Sequence, residues 1–129
     1  MLHILLVTVR REVFRSFADV LSSDPEVFLE QVTSGAEALS IVRTNCPHLV
    51  IVDSGPADTD SLKLVREMIR TNAMVNTAVV SSLSDEEFHE KSEGLGILCR
   101  LPINPGINDV TPLLQKLREI LGLVNRLSN

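Results

Sequence analysis

Short apolar runs alternate with amphipathic stretches along this chain, and that alternation constrains its fold more than any other feature. Leu2 to Val7 is one such run, and Val27 to Val32 alternates. Leu49-Val50-Ile51-Val52 is the most buried-looking run and ends on Asp53. Thr77 to Val80 closes on Ser81-Ser82, and Ile97-Leu98-Cys99 is a short fifth run. Continuous apolar runs of this length mark strands covered on both faces. Between them, apolar residues recur at three- and four-residue steps, the period of a helix. This spacing predicts helices over Arg10 to Leu21 (Val13, Phe14, Phe17, Val20, Leu21), Gly35 to about Thr44 and Ser61 to about Thr71. Two more follow, from Ser84 to near Gly94 and from Asp109 or Thr111 onward, the last with Leu113, Leu114, Leu117, Ile120 and Leu121 on one face. Ser34 with Glu37 and Ser84 with Glu87 read as capping boxes. Five strands alternating with five helices predict an α/β three-layer sandwich: a five-stranded parallel sheet, helices on both faces, right-handed crossovers.

The 129 residues suit one domain, taken here as 1–123, with 124–129 as a C-terminal tail or the start of a linker. Val124 and Leu127 would prolong the last apolar face. An apolar share of 44% excludes disorder, since this much buried surface offsets chain entropy. A net charge of −5 argues against nucleic-acid binding, which wants a basic face. With no Trp and no Tyr, there is little to stack against a base or a flavin. No apolar run approaches the ~20 residues of a membrane span, and the first residues lack a signal peptide's basic flank and cleavage site. A cytoplasmic protein is the expectation.

Most of the polar residues have structural readings. Cys46 and Cys99 read as reduced, mostly buried thiols. His3, His48 and His89 share no metal-ligand spacing. Asp58 reads as a turn acid and Asp60 as a helix N-cap. Asp85-Glu86-Glu87 complements a helix dipole, and Met68 and Met74 are apolar filler. There is no Gly-rich phosphate loop, nucleophile elbow or metalloprotease helix motif, so an enzyme is not expected.

In an open parallel sheet, ligands bind beyond the carboxyl ends of the strands. Those ends are Thr8-Val9-Arg10, Asp53, Ser81-Ser82 and Arg100-Leu101-Pro102. Four blocks carry a resemblance: His48-Leu49-Val50-Ile51-Val52-Asp53, a loop closing on Asp60-Ser61-Leu62, the stretch from Val79 to Glu87, and Gly94 followed by Pro102. In this order and spacing, over roughly Leu2 to Leu123, the chain resembles the CheY-like receiver domain of two-component response regulators. The resemblance implies a flavodoxin-like strand order, 2-1-3-4-5. In that family the strand-three aspartate takes a phosphoryl group from a histidine kinase, and acids after strand one help it hold Mg²⁺. A Ser or Thr after strand four and a Lys before the strand-five proline contact the phosphoryl oxygens. An aromatic in strand five swings inward.

Carried over, Asp53 matches the phosphoacceptor, Ser81 the Ser/Thr position and Ser82 the small residue after it. Pro102 matches the proline, whose preceding peptide bond is typically cis in the family. The departures are larger. Thr8 and Val9 stand for the acid pair, Leu101 for the lysine and Leu98 for the aromatic; the loop proline position is Ala57, with Pro56 one place early. Mg²⁺ wants several hard oxygen ligands, and phosphoryl transfer depends on neutralising charge over the equatorial oxygens. Mg²⁺ binding is therefore expected to be weak or absent, with no other metal or cofactor. Arg10, Arg11 and Arg100 flank the same strand ends, and any one of them is a candidate ion-pair partner for Asp53.

The expected function is an atypical receiver domain in phosphorelay signalling, acting as a protein–protein interaction module with an impaired phosphorylation site. Its partners would be a histidine kinase, an output domain or another signalling protein, with no nucleic acid and no membrane. The resemblance implies an interaction or homodimer face of the fourth helix, fifth strand and fifth helix, whose elements contain Asp85, Glu86, Leu98, Leu117 and Arg118. One alternative is a working receiver phosphorylated on Asp53. Another is a small-ligand domain, because Val9 and Leu101 make the strand-end crevice more apolar.

Overall fold

The computed structural model describes residues 1–54 and 60–122. Its strands are β1 (Leu2–Val7), β2 (Val27–Val32), β3 (Leu49–Val52), β4 (Thr77–Val80) and β5 (Cys99–Leu101). Its helices are α1 (Arg15–Ser23), α2 (Gly35–Thr44), α3 (Ser61–Thr71), α4 (Asp85–Lys91) and α5 (Val110–Ile120), the last preceded by a 3-10 turn, Ile107–Asp109. All strand pairs are parallel and the order is β2-β1-β3-β4-β5. Parallel pairing needs a crossover between consecutive strands, and the amphipathic segments supply one each.

Side chains alternate across a strand, so each central strand feeds two cores. Leu2, Ile4 and Leu6 pack with Phe14, Phe17 and Leu21 and with Leu113, Leu114 and Leu117 of α5. Leu5 and Val7 face the opposite layer, with Ala38 and Val42 of α2, Leu64, Val65 and Met68 of α3, and Phe88 of α4. Cys99 packs on the first core and Cys46 on the second, both half-buried free thiols whose pKa burial pushes up. The Ser34 and Ser84 hydroxyls accept from the Glu37 and Glu87 amides at 3.1 and 3.2 Å and donate to the same residues' carboxylates. Asp60 caps α3 by accepting from the Lys63 amide.

Several boundaries differ from expectation. α1 begins at Arg15 instead of Arg10, because the amides of Val13, Phe14 and Arg15 bond three residues back and form tight turns ahead of the helix. β5 begins at Cys99 instead of Ile97, with Cys99 opposite Ala78 and Leu101 opposite Val80. Gly94 closes a turn and Gly96 follows in irregular backbone, both at positive φ, ahead of this strand. Met74 is 85% exposed and Ile120 also faces solvent, so neither fills the core. Peptide bonds among the described residues are trans, including the one before Pro102, unlike the family expectation. Gly55, Pro56, Ala57, Asp58, Leu123, Val124 and Leu127 lie outside the described residues, as does the proposed boundary at residue 123.

Candidate functional site

The β1 and β3 registers place Val7 beside Val52, so the residues just beyond them, Thr8 and Asp53, emerge together at the carboxyl edge of the sheet. The Asp53 amide donates to the Val7 carbonyl at 3.0 Å, which fixes the start of the loop. Asp53 is only 1% exposed. A buried charge needs a partner and filled hydrogen-bonding capacity, and Asp53 has both. Arg10 grips it along one edge: Nε donates to Oδ2 at 2.9 Å and Nη2 to Oδ1 at 2.7 Å. Thr8 Oγ1 donates to Oδ2 at 2.7 Å, and the Ser54 amide donates to Oδ1 at 2.7 Å. Each carboxylate oxygen therefore accepts two bonds.

Thr8 also directs the arginine. Its hydroxyl accepts from the Arg10 amide at 2.9 Å, folding the chain back over the sheet edge. The guanidinium lies over the Phe14 ring, 5.7 Å from its centroid, within cation–π range. Nη2 reaches further, donating to the Ile103 carbonyl at 2.9 Å. The sequence made three arginines equal candidates, and the structure selects one. Arg100 turns away and pairs with Asp85, Nη2 to Oδ1 at 2.6 Å. Arg11 is exposed and makes no ion pair with Asp53. The local reason is direction: Arg100 lies on edge strand β5 beside α4, while Arg10 follows the Thr8 turn inward.

Burial by itself pushes the Asp53 carboxyl up. The Arg10, Thr8 and Ser54 hydrogen bonds and the Arg10 charge outweigh it, and the net direction is below the ordinary carboxylate range. Asp53 in turn raises the Arg10 guanidinium, chiefly through their hydrogen bond. A carboxyl depressed in the folded state contributes stability above its unfolded pKa of about 3.9, and that contribution is lost as pH falls through the lower folded value. Urea midpoints are therefore expected to drop below about pH 4 more steeply for the native protein than for Asp53→Asn. Equal slopes would show that the pair contributes nothing to folding.

The other strand-end residues stand apart from this cluster. Ser81 Oγ accepts from the Leu83 amide at 3.1 Å, closing its own turn, and no hydrogen bond joins it to Asp53 among the described residues. Ser82 and Pro102 are exposed. Val9 is exposed and lines none of the main described cavities. Leu101 is buried in the α1–α5 core, and Leu98 packs against the same layer. The main described cavities lie along α4–β5, α1–α5 and the amino ends of the strands, away from Asp53.

The remaining residues named from sequence are placed as follows. Leu117 is fully buried, and Arg118 pairs with Asp24 at the end of α1, not across the α4–β5 surface. That leaves Asp85 and Glu86 as the exposed members of the face named from sequence. His3 and His48 meet: the His3 amide donates to His48 Nδ1 at 2.9 Å, and His3 Nε2 lies 2.9 Å from Glu30. No group of three His, Cys, Asp or Glu suited to a metal occurs among the described residues. None of the described helices is long and apolar enough to cross a membrane.

No protein-family model and no curated protein sequence matches the chain. Solved structures do. The N-terminal domain of an uncharacterized protein from Wolinella succinogenes superposes with a TM-score of 0.78 at 19% identity, covering 94% of this chain and 97% of that one. A CheY-like response regulator receiver domain from Methanospirillum hungatei gives 0.77 at 18% identity, over 95% and 94%. NtrX from Brucella abortus gives 0.80 at 17% identity, over 98% of this chain and 29% of that longer one. The chain thus has the flavodoxin-like fold of response regulator receiver domains, with the strand order expected from sequence.

Proposed function

We propose that this protein is an atypical receiver domain of two-component signalling, in which the acceptor aspartate has become one half of a structural ion pair. The observation that carries this reading is the Arg10 fork on Asp53, with contacts of 2.7 and 2.9 Å. A phosphoacceptor carboxylate must present a free oxygen lone pair in line with the donor. Here both oxygens accept two hydrogen bonds each, and the strongest come from a cation that cannot be deprotonated.

The same residues fit Mg²⁺ poorly. The ion takes near-octahedral oxygen ligands. Asp53 is already neutralised by Arg10, Thr8 donates its hydroxyl proton to that carboxylate, and Val9 has no donor atom. At the lysine position, Leu101 is buried in the core. The domain accordingly works by binding, not by catalysis. The surface that suits this role is the α4–β5 groove of about 380 Å³, lined by Asp85, Phe88, His89, Ile97, Cys99 and Arg100. Glu86, Glu87, Glu90 and Glu93 are exposed on and just after the same helix. That surface favours a basic patch on a signalling partner, by charge complementarity.

The test is intact mass after incubation with acetyl phosphate, with and without Mg²⁺, beside Asp53→Asn. No adduct is expected in any sample. A Mg²⁺-dependent phosphoryl adduct absent from Asp53→Asn would establish a working receiver instead.

A further inference from the structure

Residues 102–105 link the end of β5 to the 3-10 turn that opens α5. Among the described residues, one hydrogen bond ties this stretch to the rest of the protein: Arg10 Nη2 to the Ile103 carbonyl, 2.9 Å. Its other anchors are apolar, the half-buried Ile103 side chain and buried Pro105. Beyond it the hydrogen bonds among the described residues are local, the Gly106 amide to Asp109 Oδ2 at 2.8 Å and the Asp109 amide back to the Gly106 carbonyl at 3.0 Å, while the 3-10 turn packs against α1 and Val110 enters the core. The nitrogen that holds Ile103 is the one that holds Asp53 Oδ1. A planar guanidinium presents its donors at fixed angles, so gripping the carboxylate through Nε and Nη2 also aims the second Nη2 hydrogen.

We propose that Arg10 is a latch: anchored on Asp53, it sets the position of the 102–109 segment and couples the start of α5 to the strand-end carboxylate. Arg10 is thus a positioning residue that joins the ends of β1, β3 and β5 through one side chain. The Arg10 side chain is 29% exposed and that of Asp53 only 2%, so the latch is reachable from solvent while its anchor is not. The proposal rests on reading Asp53 as an ion-pair anchor.

Amide hydrogen exchange tests it, because exchange reports local opening separately from global unfolding. Two variants serve: Arg10→Met, which keeps a long apolar stem over Phe14, and the double variant Arg10→Met with Asp53→Asn, which folds without leaving an unpaired buried carboxylate. The readout is exchange in residues 103–113 relative to residues 35–44 of α2, which the latch does not touch. The ratio is expected to rise about tenfold in both variants. An unchanged ratio overturns the latch, whether both segments stay protected or both accelerate together. The reading beneath it fails differently: a phosphoryl adduct on Asp53 would overturn that reading without altering the ratio in unmodified protein, whereas an unchanged ratio leaves it standing.

Discussion

Arg10→Ala is expected to lower stability by about 3 kcal/mol, the lower end of the range for breaking a buried ion pair from one side. The lower end applies because the Arg10 side chain is 29% exposed and water can enter part of the space it vacates. What the substitution leaves behind is the larger part of the effect. Asp53 stays buried, with Thr8 Oγ1 and the Ser54 amide as its remaining donors, and neither carries a charge. Removing that charge as well should recover much of the loss. The double variant Arg10→Ala with Asp53→Asn is expected to fall short of the summed single effects by at least about 1 kcal/mol, as contacting residues do. Urea denaturation at pH 7 measures all three. Additive losses would show that the two side chains are neighbours without being coupled.

Phe14→Ala is the second large effect, expected at about 3–5 kcal/mol for a fully buried phenylalanine. The ring does two things. It fills the core between β1, α1 and α5, meeting Phe17 edge-on with centroids 6.1 Å apart. Its face also carries the Arg10 guanidinium. Phe14→Leu separates these roles by keeping most of the apolar volume while removing the aromatic face. That variant should cost about 1–2 kcal/mol, part of it the cation–π contact. If the pair is coupled, Phe14→Leu should cost less in an Arg10→Met background than in the native one. Equal costs in both would assign the ring to packing alone.

The sheet was legible because a strand buried on both faces must be apolar throughout, and Leu49-Val50-Ile51-Val52 leaves no other reading. Asp53 was legible for the same reason: it is the first charge after that run. Its partner was not. Arg10, Arg11 and Arg100 all flank the strand ends, and the choice rests on a backbone turn closed by the Thr8 hydroxyl, which hydrophobic periodicity does not encode. The retreat of the α1 start from Arg10 to Arg15 has the same origin, since Arg10 turns inward before the helix begins. β5 was misplaced by two residues because a three-residue edge strand carries little pattern, and Ile97-Leu98 is more apolar than Arg100-Leu101. Arg118 lies in α5 as expected, but its orientation toward Asp24 depends on how α5 packs on α1, a tertiary matter.

The contacts of Arg10 join residues 43 and 93 positions apart in the chain. Such closures come late, after the entropy of the intervening chain has been lost to strand assembly. Three separate strand ends must be in place before this side chain can meet all of its partners. The grip is expected on the native side of the folding barrier, so Arg10→Met should speed unfolding in a urea chevron and leave the folding rate nearly untouched. On that expectation what Arg10 gives the molecule is persistence: its loss should shorten the lifetime of the fold far more than it hinders the chain in finding it.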